Sequence, residues 1–131
     1  MIASITALYA GLLALLIVVL AIRVVWLRNV HHVGLGTGGN ETLGRAIRVH
    51  GNAVEYLPIA LLLMLCLELD HGAHWLLHAC GIVLIAARLL HALGVSHSAG
   101  RSFGRAAGAA GTMLVIAVLA IINIVQFTVP A

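Results

Sequence analysis

The chain has 131 residues, 63% of them hydrophobic and only 8% charged, with a mean hydropathy of +1.14; this excludes an ordinary soluble domain. The formal charge of +3 rests on seven arginines, too few and too dispersed for a nucleic-acid footprint. A spanning helix needs about 20 mostly apolar residues, so four of them with short turns would use nearly the whole length and leave no room for a soluble domain.

In chain order, the first predicted helix covers about 2–27. Met1 to Ile22 carries no basic residue ahead of its apolar run. That run exceeds the ~7–15 residues of a signal-peptide core, and no clear A-x-A site follows, so it reads as a retained helix. Arg23, Trp26 and Arg28 are residue types that anchor a helix end at the interface. Asn29 to Gly39 is polar and glycine-rich, and Asn40 or Thr42 can cap a second helix over about 43–69. Glu68, Asp70, His71 and Gly72 predict a tight turn into helix three, about 74–95. Ser96 to Ser102 forms a polar turn into helix four, about 103–127. There is no convincing internal repeat. The fold class expected is an all-α membrane protein, a single four-transmembrane-helix bundle over 1–131. Cys66 and Cys80 fall in different helices without a CxxC, which predicts two core residues and no disulfide.

Arg23, Arg28, Arg45, Arg101 and Arg105 flank the loops after helices one and three. The opposite side, with both termini and the Glu68–Asp70 turn, has no basic residue. The positive-inside rule therefore puts both termini outside and the basic loops in the cytoplasm.

Helix two opens with Arg45, Arg48, Asn52 and Glu55 at i, i+3, i+7 and i+10, one helical stripe. An ionised group at the depth of Glu55 costs at least ~2.5 kcal/mol if it faces lipid alone, so it needs partners. A cation, an amide and an anion in a row suit a zwitterionic ligand such as an amino acid or γ-glutamyl peptide. The competing arrangement is an interhelical network in which Arg88 holds Glu55 and Arg48 snorkels to the interface. Arg88 and His91 form a second polar stripe near the same membrane face. Pro58 frees the carbonyl of Val54 and predicts a bend, and Gly104, Ala107, Gly108 and Gly111 predict close helix packing. Asn123, deep in helix four, predicts an interhelical hydrogen bond.

Two further motifs invite other readings. Gly34 to Gly39 satisfies G-x-G-x-x-G but follows a membrane helix rather than a strand, so a flexible turn is expected. His71, His74 and His78 share a face and with Asp70 or Glu68 could bind zinc, although interfacial histidines commonly just solvate a helix end, and no metal is assigned.

The segment Arg45-Ala-Ile-Arg-Val-His-Gly-Asn-Ala-Val-Glu-Tyr-Leu-Pro58 resembles the signature of the MAPEG superfamily, membrane-associated proteins of eicosanoid and glutathione metabolism, whose form is R-x-x-x-N-x-x-E-[YF]-x-P. Arg48, Asn52, Glu55, Tyr56 and Pro58 match in place, and Ala87-Arg88-Leu89 near the end of helix three fits too. With the His31–Gly39 loop, the chain looks closest to short bacterial members. The resemblance implies a homotrimer in the bacterial inner membrane, with a glutathione site between subunits open to the cytoplasm. It implies a glutathione-dependent transferase or peroxidase-like activity toward a hydrophobic electrophile from the bilayer. Arg48, Asn52, Glu55 and Tyr56 would hold glutathione as co-substrate, with Arg28, His50, Arg88 and His91 completing the site. Arg101, with Arg105 as fallback, would stabilise the thiolate. His91 stands where conjugating members tend to have tyrosine, and Val95 replaces a second aromatic. The alternative expectation is a non-catalytic membrane protein whose polar stripe serves trimer assembly or small-ligand binding.

Overall fold

A computed structural model describes residues 3–97 and 103–128, with the side chain of residue 97 left out. Four helices follow in order: α1 Ser4–His31, α2 Glu41–Leu69, α3 His74–His97 and α4 Phe103–Thr128. All four are long and apolar enough to cross a membrane.

The helix ends are set by local chemistry. α1 continues one turn past the expected exit at residue 27, because the stop signal is conformational rather than compositional. His32 adopts the left-handed region (φ 53°), and the N–H groups of His32 and Val33 close back on the carbonyls of Asn29 and Arg28. Arg28 then secures the loop, its Nη1 donating to the carbonyls of Val33, Gly34 and Gly36 at 3.1–3.3 Å. Asn40 rather than Thr42 caps α2, its Oδ1 accepting from the Leu43 N–H at 2.9 Å. Thr42 instead accepts from Arg45 at 3.2 Å. At the far end, left-handed His71 (φ 58°) and the Gly72 N–H to Leu67 carbonyl bond (2.8 Å) close α2.

Glu68 is not part of that turn. It lies in the last turn of α2, and its carboxylate reaches α1, accepting from the N–H groups of Ile5 (2.8 Å) and Thr6 (2.7 Å). The first N–H groups of a helix have no partner within it and carry the positive end of the helix dipole. α1 has no side-chain cap of its own. The buried carboxylate of α2 thus caps α1 across 62 residues of chain.

The bundle packs α3 most closely on α4, sets α2 against the other three, and keeps α1 on α2 and α3. Leu13, Leu57, Met64, Leu77, Leu84 and Leu119 form the centre of the core. Glycines set the closest approaches. A Cβ on Gly108 would lie 2.5 Å from the Ala87 carbonyl oxygen, and one on Gly81 would overlap the Tyr9 ring. Asn123 makes the expected interhelical bond, Nδ2 donating to the Leu63 carbonyl at 3.2 Å. Cys80 is buried as expected, but Cys66 is exposed. Apolar periodicity assigned Cys66 to the core, whereas in a bundle bathed in lipid the outward face is equally apolar.

The outer surface is aliphatic, with exposed Trp26 and Phe103 toward one end and Trp75 and Phe127 toward the other. From Phe103 to Phe127 α4 rises about 36 Å, slightly more than a hydrocarbon core of about 30 Å, as interfacial aromatic belts require.

Replacing Glu68 removes two charge-assisted bonds, each worth about 1.5–3 kcal/mol. Glu68→Ala should lower the melting temperature of the detergent-solubilised protein by several degrees, and Glu68→Gln, which keeps one acceptor oxygen, by less. Equal melting of both variants and the parent would contradict the cap.

Candidate functional site

Six of the seven arginines lie in the described residues, and all six occupy the half of the bundle that holds the C-terminal ends of α1 and α3 and the N-terminal ends of α2 and α4. Three are used locally. Arg28 ties the loop, Arg45 pairs with exposed Glu41 at 3.6 Å, and Arg23 donates to Ser96 Oγ at 2.6 Å, joining α1 to the end of α3.

Arg88 forms the centre of the site. It is 3% exposed, yet it projects from α3 within the membrane-spanning region. Its Nη1 donates to Asn52 Oδ1 of α2 at 2.7 Å, and its Nη2 to the Gly108 carbonyl of α4 at 3.1 Å. The same carbonyl accepts from the Thr112 hydroxyl at 3.0 Å. Gly108 makes this possible, because the absence of a side chain brings α4 against the backbone of Ala87 and His91. One guanidinium therefore joins three helices. Beside it opens a small pocket of about 170 Å³, lined by Asn52, Tyr56, Arg88, Ala109, Thr112 and Met113 between α2 and α4. Nothing in the spacing of α4 alone assigned Ala109, Thr112 or Met113 to it. The small-residue stripe was the signal that α4 approaches here.

The network expected for Glu55 is not the one formed. Arg88 binds Asn52, not Glu55, because Glu55 projects outward: both Arg48 and Glu55 are exposed. Among the described residues neither has a hydrogen-bond or ion-pair partner within the chain. Glu55 is the central residue of the 29-residue α2. Asn40 Nδ2 touches the His31 ring at 3.3 Å, so the ends of α1 and α2 are level. Counting down from the depth of Trp26 sets Glu55 about 15 Å below the aromatic belt. A cation and an anion thus stand on the bundle's outer surface, the anion at a depth where lipid offers neither water nor countercharge.

The remaining candidates divide between this point and positions away from it. Tyr56 is half-buried in the pocket and His50 half-buried nearby on α2. His91 is buried, and the charges of Arg88, Arg105 and Arg48 all act on it. Arg105 is exposed in the first turn of α4. Val95 is buried in the core. Arg28 is held by its loop carbonyls, away from the Arg88 contacts, and Arg101 lies outside the described residues.

The other motifs have local explanations. Residues 33–39 form the α1–α2 loop, with Gly36, Gly38 and Gly39 at positive φ, and no strand precedes them among the described residues. His78 turns to Tyr9, whose hydroxyl lies 3.0 Å from Nδ1 and donates to the His78 carbonyl at 3.2 Å. Among the described residues no three His, Cys, Asp or Glu side chains gather as metal ligands would.

The four-helix bundle and its polar stripe lie within the part of the chain that matches a known family: the chain belongs to the MAPEG family, whose pattern it matches over residues 6–125. It is 50% identical over 93 residues, 71% of each chain, to the inner membrane protein YecN of Escherichia coli K12, and equally to YecN of E. coli O6:H1. The chain is an integral membrane protein.

Gly108→Ala should disrupt the Arg88 junction and lower the melting temperature markedly. Gly111→Ala, whose Cβ would meet only the Ala87 Cβ at 3.1 Å, should cost less. Thermal melts of the two variants in one detergent check the order, and a reversed order would contradict it.

Proposed function

We propose that this protein is a glutathione-dependent transferase or peroxidase-like enzyme of the inner membrane. It would work as a homotrimer with both termini outside and with its glutathione site between subunits, open to the cytoplasm. The observation that supports this most is the outward-facing pair Arg48 and Glu55 at membrane depth, with no partner within the described chain. A neighbouring subunit would seal these groups from lipid, and a zwitterionic peptide would neutralise both.

The donor set suits such a ligand. Arg48 offers a bidentate grip for a carboxylate, Glu55 accepts from an ammonium group, and Tyr56 lines the adjoining pocket, while His50, on another face of α2, would serve the neighbouring subunit's site. Glutathione would supply the thiol that becomes the nucleophile. The guanidinium of Arg101, or of Arg105 in its place, would favour the thiolate over the thiol. With an aryl halide, the sulfur–carbon bond forms as halide leaves, and the thiol proton passes to solvent. The aliphatic outer surface gives a hydrophobic electrophile access from the bilayer.

A non-catalytic reading draws support from one feature. His91 stands where the conjugating members have tyrosine, and it is buried beside Arg88, so binding need not lead to turnover.

Calorimetric titration of glutathione into the detergent-purified protein tests the binding claim, with Arg48→Ala and Glu55→Gln each expected to weaken binding at least tenfold. Conjugation of an aryl halide should fall at least tenfold in Arg101→Ala or Arg105→Ala while glutathione affinity changes little. Binding without turnover would favour the non-catalytic reading, and no heat of binding would overturn the proposal.

A further inference from the structure

Arginine has only donors. Whichever atom of the Asn52 amide lies 2.7 Å from Arg88 Nη1 must therefore be its oxygen, a conclusion that does not depend on telling nitrogen from oxygen by shape. Arg88 is itself held from the other side by the Gly108 carbonyl at 3.1 Å and is 3% exposed, so it cannot swing away without abandoning a buried acceptor. With Oδ1 engaged, rotating the amide by a half-turn would set its NH₂ group against the guanidinium, donor against donor. The orientation is locked, and Asn52, half-buried beside the pocket between α2 and α4, keeps Nδ2 as its remaining polar group. Nδ2 has no acceptor among the described residues.

We propose that Arg88 is a positioning residue that fixes Asn52 as an obligate donor, so that the group bound at Asn52 must be an acceptor and cannot be the ligand's ammonium; with the Arg48 guanidinium one turn away, that acceptor is assigned as a carboxylate. This rests on the glutathione reading and sharpens it. Asn52 lies one turn from Arg48 on the same stripe, so two donors converge on one anionic group. Glu55, the sole acceptor of the stripe, is left for the ammonium. The polarity of the bound peptide along α2 is thereby dictated from α3 through Asn52.

The claim makes a reversal of preference the decisive readout. Wild-type protein, Asn52→Asp and Arg88→Met are titrated calorimetrically with glutathione and with its two carboxamides, each bearing one carboxylate converted to an amide. Wild type should prefer glutathione to one of the carboxamides by tenfold or more. Asn52→Asp keeps an acceptor for Arg88 but replaces the outward donor by an acceptor, so its preference should invert toward that same carboxamide, whose NH₂ can donate. Arg88→Met frees the amide to rotate, so the two ligands should bind about equally. A role in packing alone would weaken both ligands by the same factor and leave their ratio unchanged, which overturns the proposal. If Arg88→Met does not fold, the inversion in Asn52→Asp decides the question.

A second arm needs no ligand. In asparagine-labelled protein, the side-chain carbonyl carbon resonance of Asn52 should move in Arg88→Met while those of Asn40 and Asn123 stay in place. If wild type binds no glutathione, the functional reading falls by itself and this arm still tests the lock. An Asn52 resonance that ignores the loss of Arg88 overturns the proposal.

Discussion

Hydrocarbon cannot solvate a charge, and nearly every specific feature of this bundle is an answer to that constraint. Two charged groups find partners inside the chain. Glu68 is neutralised by the N-terminus of α1, where two backbone N–H groups stand at 2.7–2.8 Å and would otherwise have no acceptor. Arg88 donates through Nη1 and Nη2 to an amide oxygen and a backbone carbonyl from two other helices, while its buried Nε has no acceptor among the described residues. Arg48 and Glu55 are turned outward, and it is their exposure that the proposed subunit partner and ligand would answer.

The same groups couple packing to the site. Gly108 lets α4 approach α3 closely enough for its carbonyl to reach Arg88, and Arg88 in turn holds Asn52 of α2. The orientation of Asn52 on the polar stripe of α2 thus depends on a glycine contact between α3 and α4. Arg23 on Ser96 and Arg28 on its loop carbonyls fix the ends around this junction, so the arginine-rich half of the bundle is also its most heavily cross-linked half. The opposite half is held by Glu68 and by Tyr9 packed over Gly81.

Much of this architecture was legible in the sequence. Four apolar runs of spanning length gave the four helices, and the spacing of Arg48, Asn52 and Glu55 placed them on one face. The signature from Arg48 to Pro58 indicated the family. What periodicity cannot say is which neighbour a face meets. The competing arrangement paired Arg88 with Glu55 because opposite charges attract, but the helix rotation carries Glu55 outward and delivers Asn52 instead. Glu68 looked like a turn residue because the acceptor-hungry end of α1 lies 62 residues away in sequence. Cys66 looked buried because lipid-facing and core-facing positions share one composition. The end of α1 was misplaced by a turn because a left-handed histidine, not a polar run, stops it.

The central claim is that Arg48 and Glu55 are completed by a second subunit and a zwitterionic peptide. Native mass spectrometry of the full-length protein released from lipid nanodiscs in the presence of glutathione reads both at once. The account requires a three-chain species carrying glutathione, with the ligand lost when Glu55 is changed to glutamine. A ligand-free species of one chain, unchanged across glutathione concentrations, would contradict it.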